Sequence, residues 1–491
     1  MNRRDFMKVT VAGGAWLGSA RRKADYTDHT SRKKPNIILI VLDELGYYEL
    51  SCMGHRLLET PNIDRIADEG MRFTQMLAGG PVCAPTRCCL MTGKHSGHAS
   101  VRRNSGYNAI RPEDITVAQV LKKAGYTTGG FGKWGLGGRG TTGVPEKHGF
   151  DVFFGYYDQV HAHTYFPSYL IKNSEEVTLE GNSGALYEGQ TFSHYLIVEE
   201  TIKFIRDNKD GPFFCYCPWT PPHGLWGLPE NEPAWQKYKD KDWDAGHQVK
   251  KDDAQRYAAM VNMIDRQIGQ IMGLLKEAKI DNNTIVFVCG DNGGSTYFKN
   301  ETHPHGFFGP NVDPKTGKVF RGRKGLLYEG GLRIPFIVRW PGKIRAGVVT
   351  DHLGYFPDIM PTLAEITEVD CPNNIDGISM LPTLLGKKAV GRTQENREYL
   401  YWEYQGQAAV RCGSWKAYKP KNGKWELYHL SRDIEEKENV AAQNPHTLNK
   451  MIKYATEAHE PHVPGEVLDM ELCMKDHRKT KNPKPWERRR R

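Results

Sequence analysis

The densest chemistry in this sequence lies in Pro81-Val82-Cys83-Ala84-Pro85-Thr86-Arg87-Cys88-Cys89-Leu90-Met91-Thr92-Gly93, where a cysteine precedes an arginine by four residues. Gly79-Gly80 stands just ahead of it. If the chain is helical from Thr86, the thiol sits near a helix N-terminus, where unpaired backbone N–H groups favour an anion or a thiolate. Read by itself, that is a reactive thiol. Two other places supply oxygen-bearing side chains. Asp43-Glu44 ends the apolar run Ile37-Ile38-Leu39-Ile40-Val41-Leu42, and Asp291-Asn292-Gly293-Gly294 ends Thr284-Ile285-Val286-Phe287-Val288-Cys289. Asp-Asn-Gly-Gly is also ordinary turn chemistry. Two such endings together point to one shared site.

The elements that must position these groups follow from the pattern around them. Short apolar runs rich in β-branched residues predict strands buried on both faces of a parallel sheet. In open α/β sheets ligands sit beyond the carboxyl ends of the strands, which is where both acidic pairs fall. Helical patterns alternate with the strands. Thr60-Pro61 predicts one, with a cap residue and Pro in its first turn, running to about Gly70. Val117 to Ala124 predicts another, stopped by Gly125. From Asp252 to about Lys279, Tyr257, Val261, Ile264, Ile268, Ile271 and Leu275 keep a three-to-four spacing, the stripe of a core-facing helix. Composition changes after Gly386-Lys387-Lys388. From Glu398 onward come short β-rich pieces, Tyr399–Trp402, Ala409–Arg411, Trp415–Tyr418 and Trp425–Tyr428. Turns such as Lys421-Asn422-Gly423-Lys424 join them, so antiparallel hairpins of a small second domain are expected.

With 491 residues, 39% hydrophobic and 25% charged, the chain is neither a coiled coil, a collagen nor a disordered polymer. Its formal charge of +9 is concentrated at the ends. Residues 1–34 hold nine Lys/Arg against three acids and residues 475–491 nine against two, leaving a body with 49 basic and 53 acidic residues. That argues against a nucleic-acid-binding face. No apolar run reaches the 18 or so residues of a membrane span. The beginning, Arg3-Arg4-Asp5-Phe6-Met7-Lys8 followed by an apolar stretch and Gly18-Ser19-Ala20, has the order of an export signal and is similar to twin-arginine signals. Ten cysteines without regular spacing read mostly as small buried apolar residues.

The cysteine segment resembles the signature of the sulfatases, in which Cys-x-Pro-x-Arg is oxidised by a dedicated enzyme to Cα-formylglycine; the match includes the closing Thr92-Gly93. The likeness covers about residues 35–460. Gly125-Tyr126-Thr127-Thr128 through Gly132-Lys133-Trp134 is similar to the family's second signature, and Pro221-Pro222-His223 to its histidine loop. Arg321-Gly322-Arg323-Lys324 with Tyr328–Pro335 resembles a later block, and Trp425–Tyr428 with Lys437–Ala441 resembles the small domain. The resemblance implies an alkaline-phosphatase-like α/β fold: a large mixed sheet sandwiched by helices, with a smaller C-terminal antiparallel-sheet domain. The expected organisation is an export signal and linker over 1–34, a catalytic domain over 35–390, a small α+β subdomain over 391–474 and a basic tail over 475–491.

It also implies a sulfate-ester hydrolase with a calcium ion held by Asp43, Glu44, residue 83, Asp291 and Asn292. The nucleophile would be a hydrated formylglycine made from Cys83: one hydroxyl attacks sulfur, and loss of a proton from the other expels sulfate. By the same resemblance Arg87 holds residue 83, Lys133 and Lys324 neutralise sulfate oxygens, and His223 protonates the leaving alcohol. The implied partners are a sulfated carbohydrate or another sulfate ester, and a formylglycine-generating maturation enzyme. Two positions depart from the pattern. Glu44 stands where the family commonly has Asp, and Gly135 where many members have His two residues after the lysine. His163 or His161, in His161-Ala162-His163-Thr164-Tyr165-Phe166, is expected to replace that histidine, with lining of the substrate cleft as the other reading. His161, His303 and His305 are candidate substrate-binding residues. The leading expectation is an exported, periplasmic or extracellular enzyme acting on a sulfated glycan. The alternatives are a phosphonate or phosphodiester hydrolase using the same nucleophile, and a non-catalytic binder of sulfated glycans.

Overall fold

The computed structural model describes residues 34–477. The expected export signal lies outside the described residues except for Lys34, as does the basic tail beyond His477. Ten strands form the main sheet: β1 (Asn36–Leu42), β2 (Met71–Leu77), β3 (Thr127–Lys133), β4 (Val152–Tyr156), β5 (Tyr169–Lys172), β6 (Glu175–Thr178), β7 (Phe213–Trp219), β8 (Thr284–Gly290), β9 (Phe336–Arg339) and β10 (Val348–Tyr355). Their order is β10-β2-β9-β8-β1-β7-β3-β4-β5-β6. The centre, β8-β1-β7-β3-β4, is parallel. β9 runs antiparallel between β8 and β2, and β5 and β6 add an antiparallel edge.

Every residue of β1, β7 and β8 is buried, which is why those strands read as nearly continuous apolar runs. Side chains alternate between two cores. Ile38, Ile40 and Leu42 join a layer with Ile264, Ile268 and Ile271. Ile37, Leu39 and Val41 join the opposite layer with Cys88, Leu121 and Phe214. Each such side chain contributes roughly 1.5–3 kcal/mol on burial.

Helices cover both faces. α1 (Pro61–Asp68) starts at the predicted Pro, and α3 (Val117–Lys123) begins with a capping box between Thr116 and Gln119. α4 (Ser193–Asp207) and α5 (Pro233–Tyr238) follow, then α6 (Asp253–Glu277) carries the long apolar stripe. Between α1 and α3 lies α2 (Cys83–Thr92), all ten of its residues buried. It begins three residues earlier than the sequence pattern predicts.

A second sheet runs in the order β11 (Leu400–Tyr404), β12 (Gln407–Cys412), β13 (Trp415–Lys419), β14 (Glu426–His429), antiparallel throughout. One face packs on the helix Pro445–Glu457 through Val410, Leu427 and Met451. The other packs Trp402 and Tyr418 against Leu77, Leu332 and Tyr355 of the main body. Trp402 Nε1 donates to the Ala78 carbonyl at 2.8 Å, and Gln407 Nε2 to the Gly325 carbonyl at 2.9 Å. Lys416, wholly buried, lies 3.1 Å from Glu329 and 3.0 Å from Glu436. The small sheet thus grips the two loops that flank the functional site.

Candidate active site

Four neighbouring strand ends build the site from below. Leu42 of β1 is level with Gly290 of β8, so Asp43 and Asp291 emerge side by side. The Asp291 N–H donates to the Leu42 carbonyl at 3.1 Å, and the Glu44 N–H to Asp291 Oδ1 at 3.1 Å. Glu44 has a left-handed backbone, φ 65°, which swings its side chain away from the strand direction. Lys133 is the last residue of β3, and His223 follows β7 through Thr220-Pro221-Pro222.

From above comes α2. Its N-cap, Val82, has no side chain to offer, and Asn104 Oδ1 accepts from the Ala84 N–H at 3.0 Å instead. Gly79 must lack a side chain: a Cβ there would meet Cys89 Cβ at 2.3 Å. Thr86 Oγ1 accepts from the Gly79 N–H at 3.0 Å and donates to the Asp291 carbonyl at 2.9 Å, pinning helix to strand end. Cys83 Sγ then lies 3.0 Å from Asp43 Oδ1. Arg87 reaches Asp291 Oδ2 through two nitrogens at 3.0 and 3.3 Å and the Lys133 carbonyl at 2.7 Å. Lys133 Nζ donates to Asp43 Oδ2.

The loop before the short helix Glu329–Leu332 closes the third side. Lys324 N–H donates to the Gly294 carbonyl at 3.2 Å, and Gly325 N–H to the Pro81 carbonyl at 2.8 Å. This fixes Lys324 Nζ beside Glu44 Oε1 and 3.5 Å from Cys83 Sγ. Tyr297, absent from the sequence-based set, donates its hydroxyl to Glu44 Oε2. His223 Nε2 is 3.1 Å from Glu44 Oε1 and its Nδ1 is 2.6 Å from the Gly224 carbonyl. Both ring nitrogens face oxygen acceptors, an arrangement in which both act as donors only when the ring is an imidazolium.

Charge balance at the site is tight. Burial alone would raise the Asp43 carboxyl, but Lys133, His223, Arg87 and Lys324 together hold it well below the usual carboxylate range. Burial, then repulsion from Asp43, pushes Asp291 up to about 7. Burial, then Asp43, also raises the Cys83 thiol well above its ordinary value. The helix N-terminus works against these two effects on the thiol.

Asp43, Glu44, Cys83 and His223 each present a ligand atom within 4.8 Å of the others. Asn292 Oδ1 is buried and has no hydrogen-bond partner among the described residues. The two carboxylates of that cluster, with Asp291 and Asn292 at the end of the adjoining strand, offer oxygen donors of the kind a hard divalent cation takes. Such donors could hold a divalent metal ion.

A cleft of about 250 Å³ opens above these groups, lined among others by Glu44, Asn104, His163, His223, Tyr297 and Lys324. The rings of His163 and His223 stack at 4.6 Å and 5°. His161 lies elsewhere, buried against Tyr156 and Tyr169 and held by Asp158 at its backbone N–H. His303 and His305 line a separate groove. Gly135 has φ +76°, and a Cβ on it would stand 2.7 Å from Gln159 Oε1. Any Cβ at 135 would thus require the Gln159 side chain to shift.

Buried Cys83, with Arg87, Lys133 and Lys324 gathered about Asp43 and the thiol at the carboxyl edge of a mixed sheet, makes a cationic setting suited to an anionic group. The sequence profile of the sulfatases matches residues 35–369, and that of the N-sulphoglucosamine sulphohydrolase C-terminal region matches residues 320–459. N-acetylgalactosamine-6-sulfatase of Sus scrofa is 30% identical over 459 residues, 88% of this chain and 81% of that protein. Steryl-sulfatase of Rattus norvegicus is 26% identical over 480 residues, 82% of this chain and 78% of that one. The crystal structure of Ps i-CgsB in complex with k-i-k-neocarrahexaose is 26% identical with a TM-score of 0.71, covering 90% of this chain and 98% of that chain. The chain belongs to the sulfatase family and is a sulfuric ester hydrolase.

Proposed function

We propose that this protein removes sulfate from a sulfated carbohydrate, with residue 83 acting as formylglycine and a calcium ion held by Asp43, Glu44, Asp291 and Asn292. The carrying observation is that Asp43 and Lys324 meet the Cys83 sulfur while Lys133 pairs with Asp43, three groups from separate stretches of chain around one position. The modified residue would supply the nucleophilic oxygen, and the ion Lewis-acid stabilisation of that oxygen and of the sulfate. The Cys83 sulfur stands for that oxygen's position.

The chain's own groups do the rest. Arg87, pinned by Asp291 and the Lys133 carbonyl, holds the first turn of α2 and screens the two aspartates from each other. Lys133 and Lys324 balance the negative charge that grows on sulfate oxygens, in a place where water is largely excluded and such charges act strongly. His223, which lines the cleft with its Nε2 beside Glu44 and its Nδ1 anchored on Gly224, is the group we assign to giving a proton to the leaving alcohol. His163, stacked on it, is the residue we assign to taking the proton from residue 83, the role Gly135 cannot fill.

The carbohydrate reading draws on the solved relative described with a neocarrahexaose and on a relative named for N-acetylgalactosamine 6-sulfate, together with the imidazole and indole groups of the cleft. The order of basic, apolar and small residues at the N-terminus supports export, which matches an extracytoplasmic glycan. No described helix is long and apolar enough to cross a membrane. The test is mass spectrometry of the peptide containing residue 83 in protein from its native host, paired with turnover of sulfate and phosphodiester esters. An aldehyde at 83 with faster sulfate release supports the proposal. An unmodified thiol in active enzyme overturns it.

A further inference from the structure

A second concavity, of about 470 Å³, lies outside the site described above. Two stretches of chain build it, and both start at the cation-holding residues. The connection from β1 to α1 leaves Asp43-Glu44 and supplies Tyr48, Arg56 and Leu57; the connection after β8 leaves Asp291-Asn292 and supplies His303, His305 and Phe307. The groove is thus a sideways continuation of the same carboxyl edge of the sheet.

The two concavities share a wall. Tyr297 holds Glu44 with its hydroxyl on the active-site side, and its carbonyl accepts from the Phe307 N–H at 3.1 Å on the groove side. Phe298 touches Trp226 of the cleft at 4.8 Å between ring centroids and Phe308 of the groove at 5.9 Å. Tyr297 of the cleft and Phe307 of the groove are thus in direct contact.

The lining has a definite chemistry. The groove's lining residues include no Asp or Glu, with Asp313 just outside beside Val312 and Pro314 and acting on Tyr48. Arg56 is exposed, and so is His305. His303 stands edge-on to Phe307 at 5.0 Å and 82°, its N–H held by Asn300 at 2.7 Å, so the turn that carries it is fixed. His55 belongs to the wall: its Nδ1 accepts from the Leu57 and Leu58 N–H groups and its Nε2 meets the Phe308 carbonyl at 2.9 Å. Tyr48 and Phe307 offer ring surface, and Leu57 is 40% exposed. A sugar ring has apolar C–H faces for such a floor, and a sulfate on it has oxygens for a guanidinium.

Resting on the carbohydrate reading above, we infer that this groove binds a second sulfated sugar unit of the substrate, so that the enzyme acts on oligosaccharide or polymer chains in preference to single sugars. Binding energy gathered in the groove then lowers KM for long substrates and leaves the chemistry at residue 83 untouched.

The test compares wild type with Arg56→Glu in the full-length matured enzyme, using 4-nitrophenyl sulfate, sulfated monosaccharides and a panel of sulfated hexasaccharides including a neocarrahexaose. Arg56→Glu should raise KM for the hexasaccharide that is turned over by about tenfold, roughly 1.4 kcal/mol, with kcat kept. Turnover of 4-nitrophenyl sulfate should stay within about twofold. His305→Ala should act in the same direction, more weakly. Hexasaccharide KM unmoved in both variants would overturn the groove and leave the carbohydrate reading standing. Equal losses on the hexasaccharide and the aryl sulfate would overturn it too, by showing an indirect effect through the Glu44 loop. Wild-type enzyme that cleaves the aryl sulfate and none of the carbohydrates would overturn both.

Discussion

Restoring a histidine at position 135 should damage this protein, and the structure says by how much. Gly135 sits at φ +76°, where an L side chain costs roughly 1–2 kcal/mol. A Cβ there stands 2.7 Å from Gln159 Oε1, so that buried side chain must shift, at roughly 1 kcal/mol, the low end for overpacking an interior. Gly135→Ala should therefore lose about 2–3 kcal/mol of unfolding free energy in urea, and Gly135→His at least as much, with no gain in turnover. Gly135→Ala combined with Gln159→Ala separates the two parts. Removing Gln159 abolishes the collision and leaves the backbone cost, so the double variant should lose less than the sum of the singles by about 1 kcal/mol. The reasoning fails if Gly135→Ala is within about 0.5 kcal/mol of wild type, or if the two substitutions are additive.

Four further expectations can be checked. His163→Ala should lower kcat by roughly 10²–10⁴-fold while circular dichroism stays native, and near-normal turnover would remove His163 from the proton path. Calcium at 100 times its Kd should stabilise the wild-type protein by about 2.7 kcal/mol in thermal or urea unfolding. Glu44→Gln should weaken calcium binding by more than about tenfold in calorimetric titration, and equal affinities would show that Glu44 is no ligand. Burial raises the Asp114 carboxyl, but bonds from Arg111 and Ser100 and the charge of Lys94 overcome this and hold it at about 2. Its unfolded value is near 3.9, so its stabilisation of about 2.6 kcal/mol is complete above about pH 5 and lost as pH falls through 2. Asp114→Asn should thus cost about that much at neutral pH, and the gap to wild type should narrow in acid; a gap independent of pH would refute the assignment.

What the sequence made legible was set by local physics. β1 and β8 are buried on both faces, so their composition alone announces them, and the acidic residues after each mark the edge of the sheet. The hairpin at Lys421–Lys424 was equally plain, because its turn chemistry lies within four residues. The start of α2 was misplaced because its cap comes from Asn104, 20 residues away. β5 and β6 carry no strong alternation and form only as an antiparallel edge laid on β4. Tyr297 gave no signal at all, since nothing local distinguishes a tyrosine that will reach a carboxylate 253 residues earlier. The four histidines outside the Pro-Pro-His loop show the same limit. Sequence offered His161, His163, His303 and His305 together, and only the fold separates one beside His223, one packed on tyrosines and two in another groove.

The distance along the chain between Cys83 and Lys324 has a consequence in time. They are 241 residues apart, and the groups that wall in the thiol, Asp291, Lys324 and the β11–β14 sheet, are all made after it. At ribosomal speeds of about 5–20 residues per second, roughly 12–50 s pass between synthesis of the cysteine and of the lysine. Once the fold closes, Cys83 is 0% exposed. Any enzyme that must handle this side chain has that interval, and a slow codon or a paused chain downstream would lengthen it.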